Sequence, residues 1–303
     1  MKYPVLFFFV SLLSCCAKSP GLEPESLVFE FEIPVKVTVN GYTGDMMEPF
    51  ISRDGRYLFF NNLNDPAVNT NIFYAARIND TLFDFRGEVQ GVNSRVLDGV
   101  PTMDRDSNFY FVSVANYIPT LASIYKGQFS NGVVINSSIV NGISRQEQGR
   151  VNFDVELSED GNHLYFADGK FSASWQLESA DLVIAEKTTT GFRRMTASGE
   201  ILKNINTEEL EYAACISPDE LCFYFTRMPS VTAGILPRLW YATRTDKTKP
   251  FNKPRMITGL DGFIEAATVS GDSLVYFHKK DNQLFGLYCM RKKSAAAVLN
   301  YRN

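Results

Sequence analysis

The chain has 303 residues, of which 45% are hydrophobic and 21% charged, with a formal net charge of −4. That length supports a large core, the composition excludes a disordered chain, and the missing basic excess removes the electrostatic drive that nucleic-acid binding needs. The abundance of Phe (24) and Tyr (14) over Trp (2) and His (2) suits pleated surfaces, on which aromatic rings pack well.

Residues 1–16 read as an export signal, with Lys2 giving a positive start and Val5 to Leu13 an apolar run too short to span a bilayer. Leu12-Leu13-Ser14-Cys15 resembles the lipobox of bacterial lipoproteins, in which cleavage before the cysteine leaves its thiol to carry lipid. The resemblance implies lipidation at Cys15, with Cys16 the runner-up; a plain secretory signal with two incidental cysteines is the alternative. Residues 17–27, with Pro20, Gly21 and Pro24, then form a linker, and residues 28–303 a folded domain tethered in the bacterial cell envelope. On that reading the membrane is met through the lipid anchor only.

Val28 to Gly41 alternates with the period of a half-buried strand and has no partner of its own. Glu48 to Asn62 is a hairpin: an apolar strand, the turn Arg53-Asp54-Gly55-Arg56, and a second strand rich in β-formers. The unit recurs at Met103 to Phe111, Leu157 to Phe166, Ile216 to Phe225 and Val269 to Phe277. Its aromatic doublets begin at Phe59, Tyr110, Tyr165, Tyr224 and Tyr276, spacings of roughly 50 to 60 residues. A third strand follows each hairpin, at Ile72 to Tyr74, Ser123 to Tyr125, Leu182 to Ile184, Leu239 to Tyr241 and Leu287 to Tyr288. A fourth is expected at Gly87 to Val92, Val133 to Val140, Phe192 to Thr196 and Arg255 to Leu260, and no helix is expected. Ala167 to Ala180 and Arg227 to Pro237 read as long loops, the places where binding concentrates on a rigid scaffold.

These hairpins resemble the repeats of TolB-type, WD-repeat-like β-propellers, best at Ser158-Glu159-Asp160-Gly161 and Ser217-Pro218-Asp219. The resemblance implies an all-β, five-bladed β-propeller of four-stranded antiparallel blades. The fifth repeat lacks an outer strand, and Phe31-x-x-Pro34 matches Phe251-x-x-Pro254 at the end of the fourth, so the amino-terminal strand is expected to close the ring. The resemblance also implies a protein or peptide partner at the envelope. The alternative is a carbohydrate-binding or carbohydrate-active envelope enzyme, since glycosidases of this blade count act with two acids flanking a glycosidic bond.

Local catalytic motifs are missing: there is no Gly-x-Ser-x-Gly elbow and no phosphate-cradling glycine loop. His163 and His278 lie outside any ligand-like spacing and read as partly exposed strand residues. The turn acids Asp54, Asp160, Asp219 and Asp272 are explained by side chains that cap tight turns. Glu48, Asp98, Asp154, Glu211 and Glu265 differ, because they fall near one repeat position ahead of each first strand. Those strands would line a channel, so the five acids are expected at one negative mouth that takes calcium through hard oxygens, or a basic segment of a partner. No other cofactor is implied. Cys215 and Cys222 are expected opposite each other on antiparallel strands, as free thiols or a strained bridge, with Cys289 free.

Overall fold

A computed structural model describes residues 30–64, 69–231, 234–271 and 273–293. The lipobox with Cys15 and Cys16, the linker, and the turn residue Asp272 lie outside them.

Two short strands, β1 (Val35–Lys36) and β2 (Thr38–Asn40), precede five groups of strands. The first group holds β3 (Met47–Ile51), β4 (Tyr57–Asn61), β5 (Ile72–Arg77) and β6 (Leu82–Glu88). The second holds β7 (Asp98–Met103), β8 (Asn108–Ser113), β9 (Ile124–Ser130) and β10 (Val133–Ile139). In the third come β11 (Arg150–Leu157), β12 (His163–Phe171), β13 (Leu177–Lys187) and β14 (Phe192–Arg194). The fourth contains β15 (Leu210–Ile216), β16 (Cys222–Met228), β17 (Arg238–Thr243) and β18 (Arg255–Met256), and the fifth β19 (Ile264–Ser270), β20 (Leu274–Asp281) and β21 (Leu284–Arg291). Within each group consecutive strands pair antiparallel, so the chain is all-β, built from several antiparallel sheets.

The turn chemistry explains why the hairpins form where they do. Asp54 Oδ1 accepts the Arg56 N–H at 3.0 Å and the Ser52 hydroxyl at 2.7 Å. Asp160 and Asp219 do the same in their own turns, accepting from Asn162 N–H at 3.0 Å and Leu221 N–H at 2.9 Å. Each side chain replaces a backbone turn partner, which fixes the register of the strand that follows.

The core lies between groups. Phe59 of the first group meets Phe109 and Phe129 of the second at ring distances of 5.3 and 5.1 Å, and Tyr165 of the third meets Phe223 of the fourth at 5.4 Å. Leu58 and Phe60 of the first group pack in one cluster with Tyr276 and Leu287 of the fifth. The inner strands touch in a circuit: β3 meets β7, β7 meets β11, β11 meets β15, β15 meets β19, and β19 meets β3.

The amino-terminal segment spans the first and last groups. β1 pairs antiparallel with β21, placing Val35 opposite Cys289, while β2 runs parallel to β6 with Val39 opposite Phe83. Phe31 packs edge-on against Tyr241 at 5.5 Å, and its sequence counterpart Phe251 packs at a tilt against Phe223 at 5.3 Å.

Four sequence expectations are corrected here. The fourth strand of the first group is Leu82–Glu88 and not Gly87 to Val92, because the β5–β6 connection is a tight turn in which Ile78 N–H bonds the Leu82 carbonyl. Most of Ala167 to Ala180 is not loop: β12 and β13 extend through it to a short turn at Trp175. Two four-residue helical turns occur, α1 (Tyr117–Thr120) and α2 (Ser198–Ile201). Cys215 pairs with Tyr224 rather than Cys222, and all three described cysteines are free thiols.

Candidate functional site: a carboxylate cluster among the inner strands

Every inner strand carries a bulge at the same place, where its ladder to the second strand slips. The first bulged residue is left-handed in each: Glu48 at φ 48°, Val100 at 52°, Asp154 at 51°, Ala213 at 52° and Ala266 at 54°. For residues with a Cβ this conformation costs roughly 1–2 kcal/mol each, and such strain is held where surrounding packing enforces it. The five positions line one cavity together with Pro49, Pro101, Val155, Ala214 and Ala267. Its free space is about 20 Å³, room for about one water.

A bulge frees a backbone N–H from the ladder. Here a neighbouring group supplies the acceptor. Val100 N–H donates to Asn61 Oδ1 at 3.1 Å, Ala213 N–H to Asp154 Oδ2 at 2.9 Å, and Ala266 N–H to Thr226 Oγ1 at 3.2 Å. Glu48 N–H donates to His278 Nδ1 at 3.2 Å. Asn61, Thr226 and His278 occupy the same position, directly after the aromatic doublet of their repeats.

Three of the five acids singled out in the sequence come together. Glu48 and Asp154 sit on the bulge itself and Glu265 one residue before it, and all three are buried. Oxygens of Glu48 and Glu265 and a ring nitrogen of His278 lie within 4.8 Å of one another. Glu265 also accepts a hydrogen bond from the Tyr212 hydroxyl. Asp98 and Glu211 stand two residues before their bulges and have separate partners. Asp98 Oδ2 accepts from Ser94 N–H at 2.5 Å, while Glu211 is held by Thr207 N–H at 3.0 Å and Arg227 Nε at 2.7 Å.

The electrostatics separate this cluster from the other buried acids. Glu156 is paired with Arg53 at 2.9 Å, Asp168 with Arg194 at 2.8 Å and Arg145 at 2.6 Å, and Glu220 with Lys247 at 2.7 Å. Among the described residues no Lys or Arg pairs with Glu48, Asp154 or Glu265. Burial, then the charges of Asp154 and Glu265, holds the Glu48 carboxyl well above its ordinary range. Burial and then Glu265 push Asp154 up to about 7 against the Ala213 N–H, which favours its ionised form. Burial followed by Glu265 raises the Tyr212 hydroxyl. A carboxyl poised near neutrality beside other buried acids is an arrangement that acid–base chemistry uses.

Sequence reasoning missed His278 and Tyr212. His278 is not a partly exposed strand residue: it is fully buried, beside Phe263 and Phe285 at 6.3 and 5.5 Å. A hard cation would draw here on the carboxylates of Glu48 and Glu265 and not on Asp98 or Glu211.

No protein-family model matches the chain, and no curated protein matches it in sequence. Among solved structures it is similar to a glycoside hydrolase, at 10% identity and a TM-score of 0.59 over 87% of this chain and 92% of that one. It is also similar to the catalytic domain of the Coprinopsis cinerea GH62 alpha-L-arabinofuranosidase, at 10% identity and a TM-score of 0.53 over 86% and 94%. TolB from Acinetobacter baumannii aligns at 12% identity and a TM-score of 0.45, over 83% of this chain and 55% of that one. At these identities the likeness is one of fold. The chain is an all-β protein with β-propeller relatives in structure and an acidic cluster where its inner strands meet.

Proposed function

We propose that the five strand groups are the blades of a five-bladed propeller, closed by the amino-terminal segment, and that the axial carboxylates make it a carbohydrate-active protein. One observation carries the functional reading: carboxyls from three inner strands, Glu48, Asp154 and Glu265, are buried together with no Lys or Arg partner among the described residues, and Asp154 is poised at about 7. Glycoside hydrolysis needs such a division, with one carboxyl that holds a proton near neutral pH and another that stays ionised. In this scheme Asp154 gives its proton to the glycosidic oxygen as the C–O bond breaks. Glu265, held by the Tyr212 hydroxyl, takes a proton from the water whose oxygen bonds to the anomeric carbon. The cavity beside Asp154 has room for about one water. The fold of the glycoside hydrolases named above supports the reading as analogy only.

This reading goes further than the protein- or peptide-binding one, because the gathered groups are those that bond cleavage uses and they are buried rather than spread on an open surface. The purified domain, offered a panel of polysaccharides and aryl glycosides, is expected to release reducing ends from at least one. Asp154→Asn and Glu265→Gln should each lower that release by about 100-fold or more, with the fold retained. No release from any glycan, or release unaffected by both variants, would remove the hydrolase reading.

We further propose that Cys15 becomes the lipidated amino terminus, tethering the propeller in a bacterial cell envelope. Mass spectrometry of the membrane fraction should find an acylated chain starting at Cys15. A mature chain that begins beyond Cys16 without acyl mass contradicts this.

A further inference from the structure

We infer that His278 is a positioning residue for Glu265: its Nδ1 holds the first bulge, and the proton is thereby left on Nε2, beside the Glu265 carboxylate. The inference deepens the glycosidic reading above and rests on it for its kinetic consequence. Its geometric part stands on its own.

Asn61, Thr226 and His278 each accept the N–H of the bulged residue in the next group around the circuit. Asn and Thr show that the structural task needs only an oxygen acceptor of modest length. Histidine adds a second nitrogen at that position. Because Nδ1 accepts the Glu48 N–H at 3.2 Å, a neutral ring must carry its proton on Nε2. Nε2 lies 3.4 Å from Glu265 Oε2, at ion-pair distance but outside hydrogen-bond geometry, and has no hydrogen-bond partner although the ring is fully buried. A protonated Nε2 has no lone pair to offer a metal, so the ring acts here as a donor.

Glu265 thus accepts a hydrogen bond from the Tyr212 hydroxyl and has His278 Nε2 beside it at 3.4 Å. The groups around His278 are Glu48 on β3 and Glu265 on β19, with Phe263 and Phe285 packed against the ring. These neighbours orient the Glu265 carboxylate as an acceptor, while burial and the nearby acids hold the Glu48 and Asp154 carboxyls above their ordinary range. The result is an assigned acceptor within a set of like groups.

The chain has two histidines, so a His163→Gln background leaves a single imidazole for nitrogen-15 NMR. At pH 7 the ring should carry its proton on Nε2 with Nδ1 unprotonated; a proton on Nδ1 would overturn the inference. The kinetic arm uses His278→Asn, which keeps an acceptor for the Glu48 N–H, as Asn61 does for Val100, but removes the Nε2–H. This variant should melt with the parent yet lose about tenfold or more in kcat, with KM little changed and the pH optimum displaced. An unchanged rate and pH profile would reduce His278 to a cap and overturn the positioning role. Should no glycan be turned over, the glycosidic reading fails while the tautomer measurement still decides the geometry.

Discussion

A domain lacking residues 30–40 is expected to be largely unfolded under conditions where the intact domain is stable. Phe31, Val37 and Val39 are exposed by only 6%, 1% and 4%. At about 1.5–3 kcal/mol for each buried side chain, their removal costs roughly 5–9 kcal/mol, comparable with the whole stability of a typical domain. Backbone partners go as well: Glu32 N–H bonds the Arg291 carbonyl at 2.8 Å and Val37 N–H the Leu287 carbonyl at 2.8 Å. The truncation would leave the last group with an unpaired edge at β21, which promotes association with other chains. Urea denaturation of the two forms gives the comparison. If the truncated domain unfolds at the same midpoint as the intact one, the closure proposed above is wrong.

Asp154→Asn should stabilise the fold above pH 7 and leave it nearly unchanged at pH 4. The Asp154 carboxyl stands at about 7 in the folded chain against an ordinary 3.8. Between those values the native state holds a proton that the unfolded chain has released, so stability falls as pH rises through this window. Above it the full penalty applies, on the order of 4 kcal/mol at about 1.36 kcal/mol per pH unit. Asparagine removes the penalty, and its Oδ1 can still accept the Ala213 N–H that Asp154 now holds at 2.9 Å. Melting temperatures of both proteins from pH 4 to 8 should therefore diverge as pH rises. Parallel curves would show that burial does not perturb this group. A residue whose replacement stabilises the fold is one retained for another reason, as expected at a site of chemistry.

The hairpins were legible because their turn chemistry is local: Ser158, Asp160 and Asn162 fix one turn within five residues, and the aromatic strand follows directly. The pairing of residues 31–36 with β21 was legible too, through the shared Phe-x-x-Pro pattern. The acids were harder. Counting back from turns of different length placed Asp98 and Glu211 level with Glu48, whereas the bulge puts them two residues earlier, about 7 Å along an extended strand. That offset takes Asp98 to Ser94 and Glu211 to Arg227. His278 gave no local signal because its partner Glu48 is 230 positions away in sequence. The only available hint was its place after an aromatic doublet, where Asn61 and Thr226 also put a polar group on a strand otherwise buried.

The seam at β1 and β21 has a consequence for synthesis. Phe31 bridges to Lys292 and Val35 to Cys289, so nearly the first residues of the folded region wait for nearly the last before they can pair. A ribosome adding about 5–20 residues per second keeps that segment without its partner for at least ten seconds or so. Contacts of such long range also slow the search once the chain is complete, because closing the longest loop must precede any reward from it. Exposed Ile33 and Val35 remain uncovered even afterwards. The nascent chain thus carries an apolar, strand-forming stretch without its partner until residues 288–292 are made, which makes escort by a holding chaperone more consequential for its yield than the turn-driven hairpins alone would suggest.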